Sequence, residues 1–333
     1  MSGETVFAGT CPLCHSPARH EFTGSDLLFG KPGNYDYGRC ESCGAVFQTP
    51  MPDSRQIAAL YPAEYEQYQP DRAKPPGNLE KGALRAVHGY DHIDVPVVYR
   101  LAGQLLGRTR YADEPPFRSD RQALDIGCGN GRFLGKLQAL GWEAQGVEFN
   151  AGAVAVCHAG GLRVFHGDLH AARFADESFD MISARHLIEH LPDPGGLMAE
   201  VVRILKPGGY FLVRTPNSRA LGRKTFGRYW YHNDVPRHLV LFSPANLTTL
   251  AQRHGLRKSR LKTLSAPKAV LNSIDYVTGN RMRASKRSSL RRLLARLLYV
   301  WPATLLRRGD EIFAIYEKPL TGDDGTQRRS HKE

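Results

Sequence analysis

The spacing of apolar residues changes part-way along this chain, and the change divides it. Between His92 and Tyr111 they recur at helical intervals, at Ile93, Val97, Val98, Leu101, Leu105 and Leu106, which predicts one amphipathic helix. From Gln122 short apolar runs alternate with helical stretches. Ala123–Ile126 reads as a buried strand ending in glycines, and Arg132–Gly141 as a helix stopped by glycine. Glu143–Phe149, Leu162–His166, Phe179–Ala184 and Gly209–Arg214 read as further strands, with helices over Ala151–Gly160 and Pro194–Leu205. Such alternation implies a parallel sheet covered on both faces, a doubly wound α/β fold.

Outside that block the pattern is irregular. Residues 50–76 are rich in Pro, Tyr and Gln and read as a linker, and residues 112–120 as an acidic loop. After Thr215 comes a long loop of Arg, Tyr, Trp and His. Pro244–His254 then reads as a helix with Ser243 as its N-cap, and Arg260–Leu264 and Ile312–Tyr316 as the last strands. The expected organisation is a zinc-binding module at 1–50, a linker and helical lead-in at 51–120, and the main domain at 121–320. That domain carries a basic helical insertion near 266–310, and a disordered tail follows at 321–333.

Charge adds a partner class. The formal net charge is +12, which favours an anionic partner: nucleic acid, a phosphorylated metabolite or a lipid surface. The excess is concentrated: about 15 Lys or Arg lie between Arg253 and Arg308, with only Asp275 and Asp310 as nearby acids. No apolar run approaches the roughly 20 residues that span a bilayer, and Met1–Thr10 lacks a secretory pattern. A cytoplasmic protein is expected, with peripheral contact at the inner membrane face as an added option.

Four of the six cysteines form two CxxC pairs, Cys11/Cys14 and Cys40/Cys43. Each pair presents two thiolates around one tight turn, and two turns complete a tetrahedral S₄ shell, which predicts a closed, structural Zn²⁺ site. A redox pair and an iron–sulfur centre are the alternatives. His15 and His20 read as bystanders, and Cys128 and Cys157 as inert.

The stretch Leu124-Asp125-Ile126-Gly127-Cys128-Gly129-Asn130-Gly131 is a strand, a tight glycine turn and the start of a helix. Glycines let a ligand approach the backbone and permit positive φ, and the helix start offers free N–H groups. Alone, such a turn suits NAD, FAD or adenosylmethionine. Asp125 lies inside its strand just before the glycines, where its carboxylate can orient the turn or meet an ammonium group. Glu148 ends the next, where it can accept from ribose hydroxyls, and Asp168 can accept from an adenine amino group.

The ordered series LDIGCGNG, GVEFN, HGDL, FDMISARHLIEHL and ILKPGGYFLVRTPN resembles the motifs of class I S-adenosylmethionine-dependent methyltransferases with a Rossmann-like fold. The resemblance implies that Asp125, Gly127 and Gly129 line the methionine part of S-adenosyl-L-methionine. Glu148 would hold the ribose, and Phe149, Asp168 and Leu169 the adenine. CPLC…RCESCGAVFQTPMP…LYPAEYEQY and the loop around Tyr229–His238 are similar to bacterial methyltransferases of envelope polysaccharide and small-molecule biosynthesis. Tyr61, Tyr65 and Tyr68 would then either cover the cofactor or pack the linker.

Methyl transfer needs a nucleophile placed in line with the S–CH₃ bond, and a hydroxyl acceptor also needs a base. His190, His238 and His186 are the catalytic candidates. Arg237, His232 and Asp234 are candidates for substrate contact, Arg237 through an anion on the acceptor. The expected acceptor is a small or lipid-linked saccharide or glycan-pathway intermediate, methylated on oxygen. A zinc-containing RNA methyltransferase is the alternative, although the cysteine segment lacks the basic and stacking residues that RNA recognition uses. Ser289–Trp301 reads as a basic amphipathic helix, suited to an anionic membrane, a second subunit or the enzyme's own sheet.

Overall fold

The computed structural model describes residues 9–61, 75–110, 115–118, 120–279 and 288–320. In chain order the elements begin with β1 (Ala18–Gly24), β2 (Tyr35–Cys40), β3 (Val46–Thr49), α1 (Ser54–Ala59), α2 (Asn78–His88) and α3 (Val97–Arg110). Next come β4 (Gln122–Ile126), α4 (Arg132–Ala139), β5 (Glu143–Glu148), α5 (Ala151–Ala159), β6 (Val164–His166), β7 (Phe179–Arg185) and α6 (Pro194–Ile204). Then follow β8 (Leu205–Pro216), α7 (Leu221–Phe226), β9 (Val240–Leu241), α8 (Pro244–Arg253), β10 (Arg257–Leu264) and α9 (Pro267–Val277). The last are α10 (Ser289–Ala295), α11 (Trp301–Leu305) and β11 (Glu311–Glu317). Contacts divide them into two units. The first is Met1–Ala63 with His186–Ala199 and Val213–Tyr316; the second is Glu64–Arg185 with Glu200–Leu212 and Glu317–Glu333. Tyr65, Tyr68 and the polar tail at 321–333 lie outside the described residues, as do Tyr111 and residues 112–114 and 119 of the acidic loop.

The second unit holds the strand order β8-β7-β4-β5-β6. β4 runs parallel to β5, with Asp125 opposite Gly146, and parallel to β7, with Ile126 opposite Ala184. Strands covered on both faces read as near-continuous apolar runs. Accordingly Ala123, Leu124, Met181 and Ile182 are fully buried, with Leu134 and Leu137 of α4 buried in the same unit. β8 starts earlier than its apolar run implied. Its glycine turn is held in strand pairing, with Gly208 N–H donating to Lys318 O (2.8 Å) and Lys318 N–H to Gly209 O (2.9 Å).

The lead-in helix begins at Val97, not at His92. Pro96 has no N–H and pushes its predecessor out of the helical region, so it sets the start. His92 serves another purpose: its Nε2 lies 3.0 Å from Leu140 O and its ring packs 4.5 Å from that of Phe117.

The first unit contains an antiparallel sheet ordered β1-β2-β3-β9. Val46 and Phe47 pair with Leu241 and Val240, so the cysteine-bearing hairpins share a sheet with a strand far downstream. Phe22 stacks on Tyr37 at 4.7 Å, and Tyr37, Val46, Val235 and Leu241 form a buried cluster. This unit also carries the order β10-β11-β8 at the end of β8. Ser243 caps α8 as expected, in a reciprocal capping box with Asn246.

The basic C-terminal helix is α10, a π-helical turn at Arg296–Val300, and α11. Its packing face is not the leucine stripe. Ala295, Tyr299 and Ala303, four residues apart, join a cluster with Trp230, Ala220, Ala269 and Val270. The small alanines allow close approach, and Tyr299 Oη donates to Asp310 while accepting from Gly222 N–H. Leu290, Leu293, Leu294, Leu297 and Leu298 stay exposed. Among the described residues, no helix is long and apolar enough to cross a membrane.

Candidate active site

In the second unit, the end of β4 builds a cradle from backbone. Gly127, Gly129 and Gly131 all take positive φ, and Gly127 N–H donates to Val147 O at 2.8 Å. A Cβ at Gly131 would lie 2.3 Å from Leu162 Cδ1 and 2.8 Å from Cys157 Sγ, so this turn leaves no room for a side chain there. Asp125 is buried and accepts from Ser183 Oγ at 2.6 Å. Burial raises its carboxyl to about 6, against the opposing pull of Ser183 and Arg185. Glu148 binds the cradle directly: one oxygen accepts from Gly129 N–H and the other from Asn150 N–H, both at 2.9 Å. Phe149 next to it is exposed, with 54% of its surface accessible. Asp168 is exposed and caps a turn through Ala171 N–H (2.8 Å), while Leu169 is buried. The seven residues expected to hold the cofactor therefore stand in one unit, at strand ends, as backbone cradle, carboxylates and open ring.

In the first unit a second cluster forms. His186, at φ 53, and Asp234, at φ 36, both hold left-handed backbone, a strain of about 1–3 kcal/mol each that tends to collect at functional sites. Glu189 is wholly buried; one oxygen accepts from Thr215 Oγ1 at 2.8 Å. The other, Oε1, makes no hydrogen bond but lies 3.4 Å from His186 Nδ1. His186 Nε2 is 3.5 Å from Glu311 Oε1, so this imidazole stands between two carboxylates. Burial alone would raise the Glu189 carboxyl. The imidazole of His186, with His190 and His238, reverses that and holds it at about 2.

His190 and His238 face each other at 4.7 Å between ring centroids. His190 Nδ1 lies 2.9 Å from Arg237 O and 2.8 Å from Tyr61 Oη. A carbonyl only accepts, so Nδ1 carries the hydrogen and Nε2 keeps a bare lone pair. By the same reasoning His238 donates from Nδ1 to His232 O (2.9 Å), and its Nε2 lies 3.8 Å from Asp234 Oδ2. Burial lowers His190 and His232 to about 4 and pulls His238 down as well, so all three are neutral at neutral pH. Two neutral imidazoles beside ionised carboxylates can accept a proton and share its charge. Glu189, His190 and His238 also place one donor atom each within 4.8 Å of one another, a set able to hold a metal ion.

Arg237, expected to face an anion on the acceptor, is enclosed instead. Its guanidinium donates to both oxygens of Asp26, at 2.9 and 3.0 Å, and to Asp234 at 2.6 Å. It clamps the loop to the N-terminal sheet, where Tyr37 Oη adds a bond to His238 O at 2.9 Å. Trp230 is buried and packs rather than presenting a ring to a ligand; a Cβ on Gly222 would strike it at 2.1 Å. Asp26, Glu189, Thr215 and Glu311 escaped the sequence reading. For Glu189 a signal existed in the string HLIEH, and for Thr215 in its place at the end of the fifth strand; for Asp26 and Glu311 none did.

Cys11, Cys14, Cys40 and Cys43 converge with all four sulfurs within 4.8 Å. Sγ separations of 3.6 Å (Cys11–Cys43) and 3.4 Å (Cys14–Cys40) approach the ~3.8 Å edge of a tetrahedron with ~2.3 Å metal–sulfur bonds. Leu13 N–H and Cys43 N–H point at Cys11 and Cys40 sulfurs, each at 3.4 Å, as donors that support thiolates. The donor set fits one tetrahedral ion.

Residues 99–260 match the family model described as a methyltransferase domain. A ubiquinone biosynthesis O-methyltransferase from Methylococcus capsulatus is 32% identical over 104 residues, covering 29% of this chain and 44% of that relative. One from Thiobacillus denitrificans is 26% identical over 167 residues, covering 46% and 72%. The chain thus spans less than half the length of the first of these curated relatives. Among solved structures, a SAM-dependent methyltransferase from Archaeoglobus fulgidus shares 21% identity at a TM-score of 0.45, covering 66% of this chain and 94% of its own. An S-adenosylmethionine-dependent methyltransferase from Mesorhizobium loti shares 15% at 0.44, covering 65% and 99%.

Proposed function

We propose, on the premise that residues 99–260 form a methyltransferase domain, that this chain is an S-adenosylmethionine-dependent O-methyltransferase acting on a small-molecule hydroxyl. The observation that carries the reading is the cradle of the second unit, where Glu148 closes the glycine turn through Gly129 N–H. Asp125, Gly127 and Gly129 would hold the methionine part of the cofactor, Glu148 the ribose, and Phe149, Asp168 and Leu169 the adenine. When bound, S-adenosylmethionine supplies a methyl group on a sulfonium that leaves as a neutral thioether. His190 is proposed as the base: its Nε2 lone pair would accept the proton of an acceptor's hydroxyl. His238 beside it, with Asp234 at 3.8 Å, shares the resulting positive charge. Arg237 O keeps the His190 ring in the required tautomer, with Tyr61 Oη beside the same nitrogen. His186 and His232 are positioning groups, through Glu189, Glu311 and the His238 bond.

Two relatives carry O-methyltransferase names, which supports transfer to oxygen. A base held near 4 is weak, and it suits an acidic hydroxyl such as a phenol (about 10) better than a saccharide alcohol. The saccharide or lipid-linked intermediate expected from sequence is therefore the competing acceptor class. Zn²⁺ at Cys11, Cys14, Cys40 and Cys43 would be structural, bracing the sheet that holds Arg237 and His238 through Asp26 and Tyr37. Exposed leucines and arginines along 289–301 support peripheral contact with an anionic membrane.

Calorimetric titration of the full chain with S-adenosylmethionine tests the reading. Micromolar affinity, reduced at least about tenfold by Glu148→Ala, is expected; a preference for NAD would sink it. A radiolabelled methyl donor offered with catechol and with a hexose then separates the acceptor classes. A second reading is favoured by one observation: Glu189 Oε1, which makes no hydrogen bond, lies beside His190 and His238. There a divalent cation would bind the acceptor oxygen and lower its pKa. Turnover abolished by a chelator and restored by Mg²⁺ or Mn²⁺ would select it over direct proton abstraction.

A further inference from the structure

The first unit also holds a cleft of about 480 Å³ that the proposed reaction does not employ. One wall comes from β1 and β2, the other from the segment after β8 and from Arg308. Arg39, Arg219, Arg223, Lys224, Arg228 and Arg308 line it, against one acid, Glu21. Glu21 is already engaged, receiving Arg39 Nε at 2.7 Å and Arg223 Nη1 at 3.2 Å. Arg228 donates to Tyr229 Oη at 2.9 Å. Among the described residues no acid pairs with Arg219, Lys224 or Arg308. Like charges crowded around a concavity raise its potential, and the arrangement is favourable only with an anion inside.

A second feature points the same way. Ser218 lines the cleft, is 7% exposed, and its Oγ has no hydrogen-bond partner. A buried hydroxyl left unpaired is unfavourable, and an acceptor oxygen in the cleft would remove that penalty. Phe22 supplies an apolar wall, fixed by its stack on Tyr37 and overlain by the Arg223 guanidinium 5.5 Å from its centroid.

We infer that this cleft binds the phosphate or diphosphate ester of a small molecule. Guanidinium groups match phosphate oxygens two at a time, and the volume lies in the roughly 300–1,000 Å³ range of small-molecule sites. The N-terminal module thereby gains a second purpose, forming one wall of a ligand site. The inference makes no use of methyl transfer, and its test reads binding alone.

The probe is inorganic pyrophosphate, titrated calorimetrically into the full chain at 150 mM salt. One site is expected, weakened at least about tenfold in R219A/K224A/R308A, since each substitution removes a charged hydrogen-bond donor. The charge-matched control R291A/R292A/R296A, on exposed positions of the C-terminal helix, should bind within about twofold of wild type. Ser218→Ala should weaken pyrophosphate about threefold or more while leaving the melting temperature unchanged or raised, because its Oγ bonds to nothing in the free protein. Equal loss in both triple variants, or no pyrophosphate binding by the wild type, overturns the proposal. So does binding to phosphatidylglycerol vesicles, lost in R219A/K224A/R308A, without pyrophosphate binding: the cleft would then serve a lipid surface.

Discussion

The glycine cradle and the histidine–carboxylate cluster reach functional geometry by opposite routes. The cradle is written in backbone: three glycines at positive φ and a carboxylate bonded to two N–H groups, all from residues 122–150. The cluster is written in side chains from remote segments: Asp26, Tyr37, Tyr61, residues 186–190, Thr215, residues 232–238 and Glu311. A backbone cradle of the kind proposed for the cofactor tolerates exchanges among the side chains around it. A side-chain cluster can be retuned by one exchange, as expected where acceptor chemistry is chosen.

Substitutions should separate the two. The largest effect is expected from His190→Gln, which keeps bulk but removes the proton acceptor. Turnover should fall about 10²–10⁴-fold with S-adenosylmethionine affinity unchanged by calorimetry. An equal loss of cofactor affinity would mean that the cluster is not a separate acceptor device. Next comes Gly131→Ala. Left-handed backbone costs an alanine about 1–2 kcal/mol, and the Cβ meets Leu162 and Cys157 at 2.3 and 2.8 Å, adding roughly 1–3 kcal/mol of overpacking. Denaturant unfolding should show a loss of about 2–5 kcal/mol, accompanied by loss of cofactor binding. A variant as stable as wild type would contradict the constraint read from the backbone.

How much was legible follows from the same contrast. The parallel strands announced themselves because a strand buried on both faces is mostly apolar, as in Ala123–Ile126 and Phe179–Ala184, where Asp125, Asp180 and Ser183 are the polar exceptions. The cradle was legible because its glycines, Asp125 and Glu148 sit at fixed offsets from strand ends. His186, His190, His232, Asp234 and His238 were found as types in loops, and the structure brings them together. Arg237 was misread because its partner Asp26 lies in another segment, and no local pattern ties an arginine to one carboxylate rather than another. The pairing of β3 with β9 was hidden for a similar reason: Val240–Leu241 is two residues long and carries no period. In the C-terminal helix the leucine stripe carries the stronger apolar pattern, yet Ala295 and Ala303 pack where space is short.

The smallest effect tests the cradle through pH. Burial holds the Asp125 carboxyl at about 6 in the folded chain, above its ordinary value of 3.8. The folded state therefore binds more protons than the unfolded state between about pH 4 and 6. The stability this group contributes is complete below its unfolded pKa and is lost as pH rises through the folded one. At 1.36 kcal/mol for each tenfold change, the loss amounts to at most about 3 kcal/mol. Asp125→Asn keeps an oxygen for Ser183 and removes the titration, so its unfolding free energy should be flatter than wild type from pH 4.5 to 7. Cofactor affinity should behave oppositely: in wild type it rises over that window as Asp125 ionises to meet the ammonium group, while in Asp125→Asn it stays low and flat. Parallel profiles for the two proteins would show that Asp125 neither titrates there nor recognises the cofactor, leaving Glu148 as the cradle's principal charge.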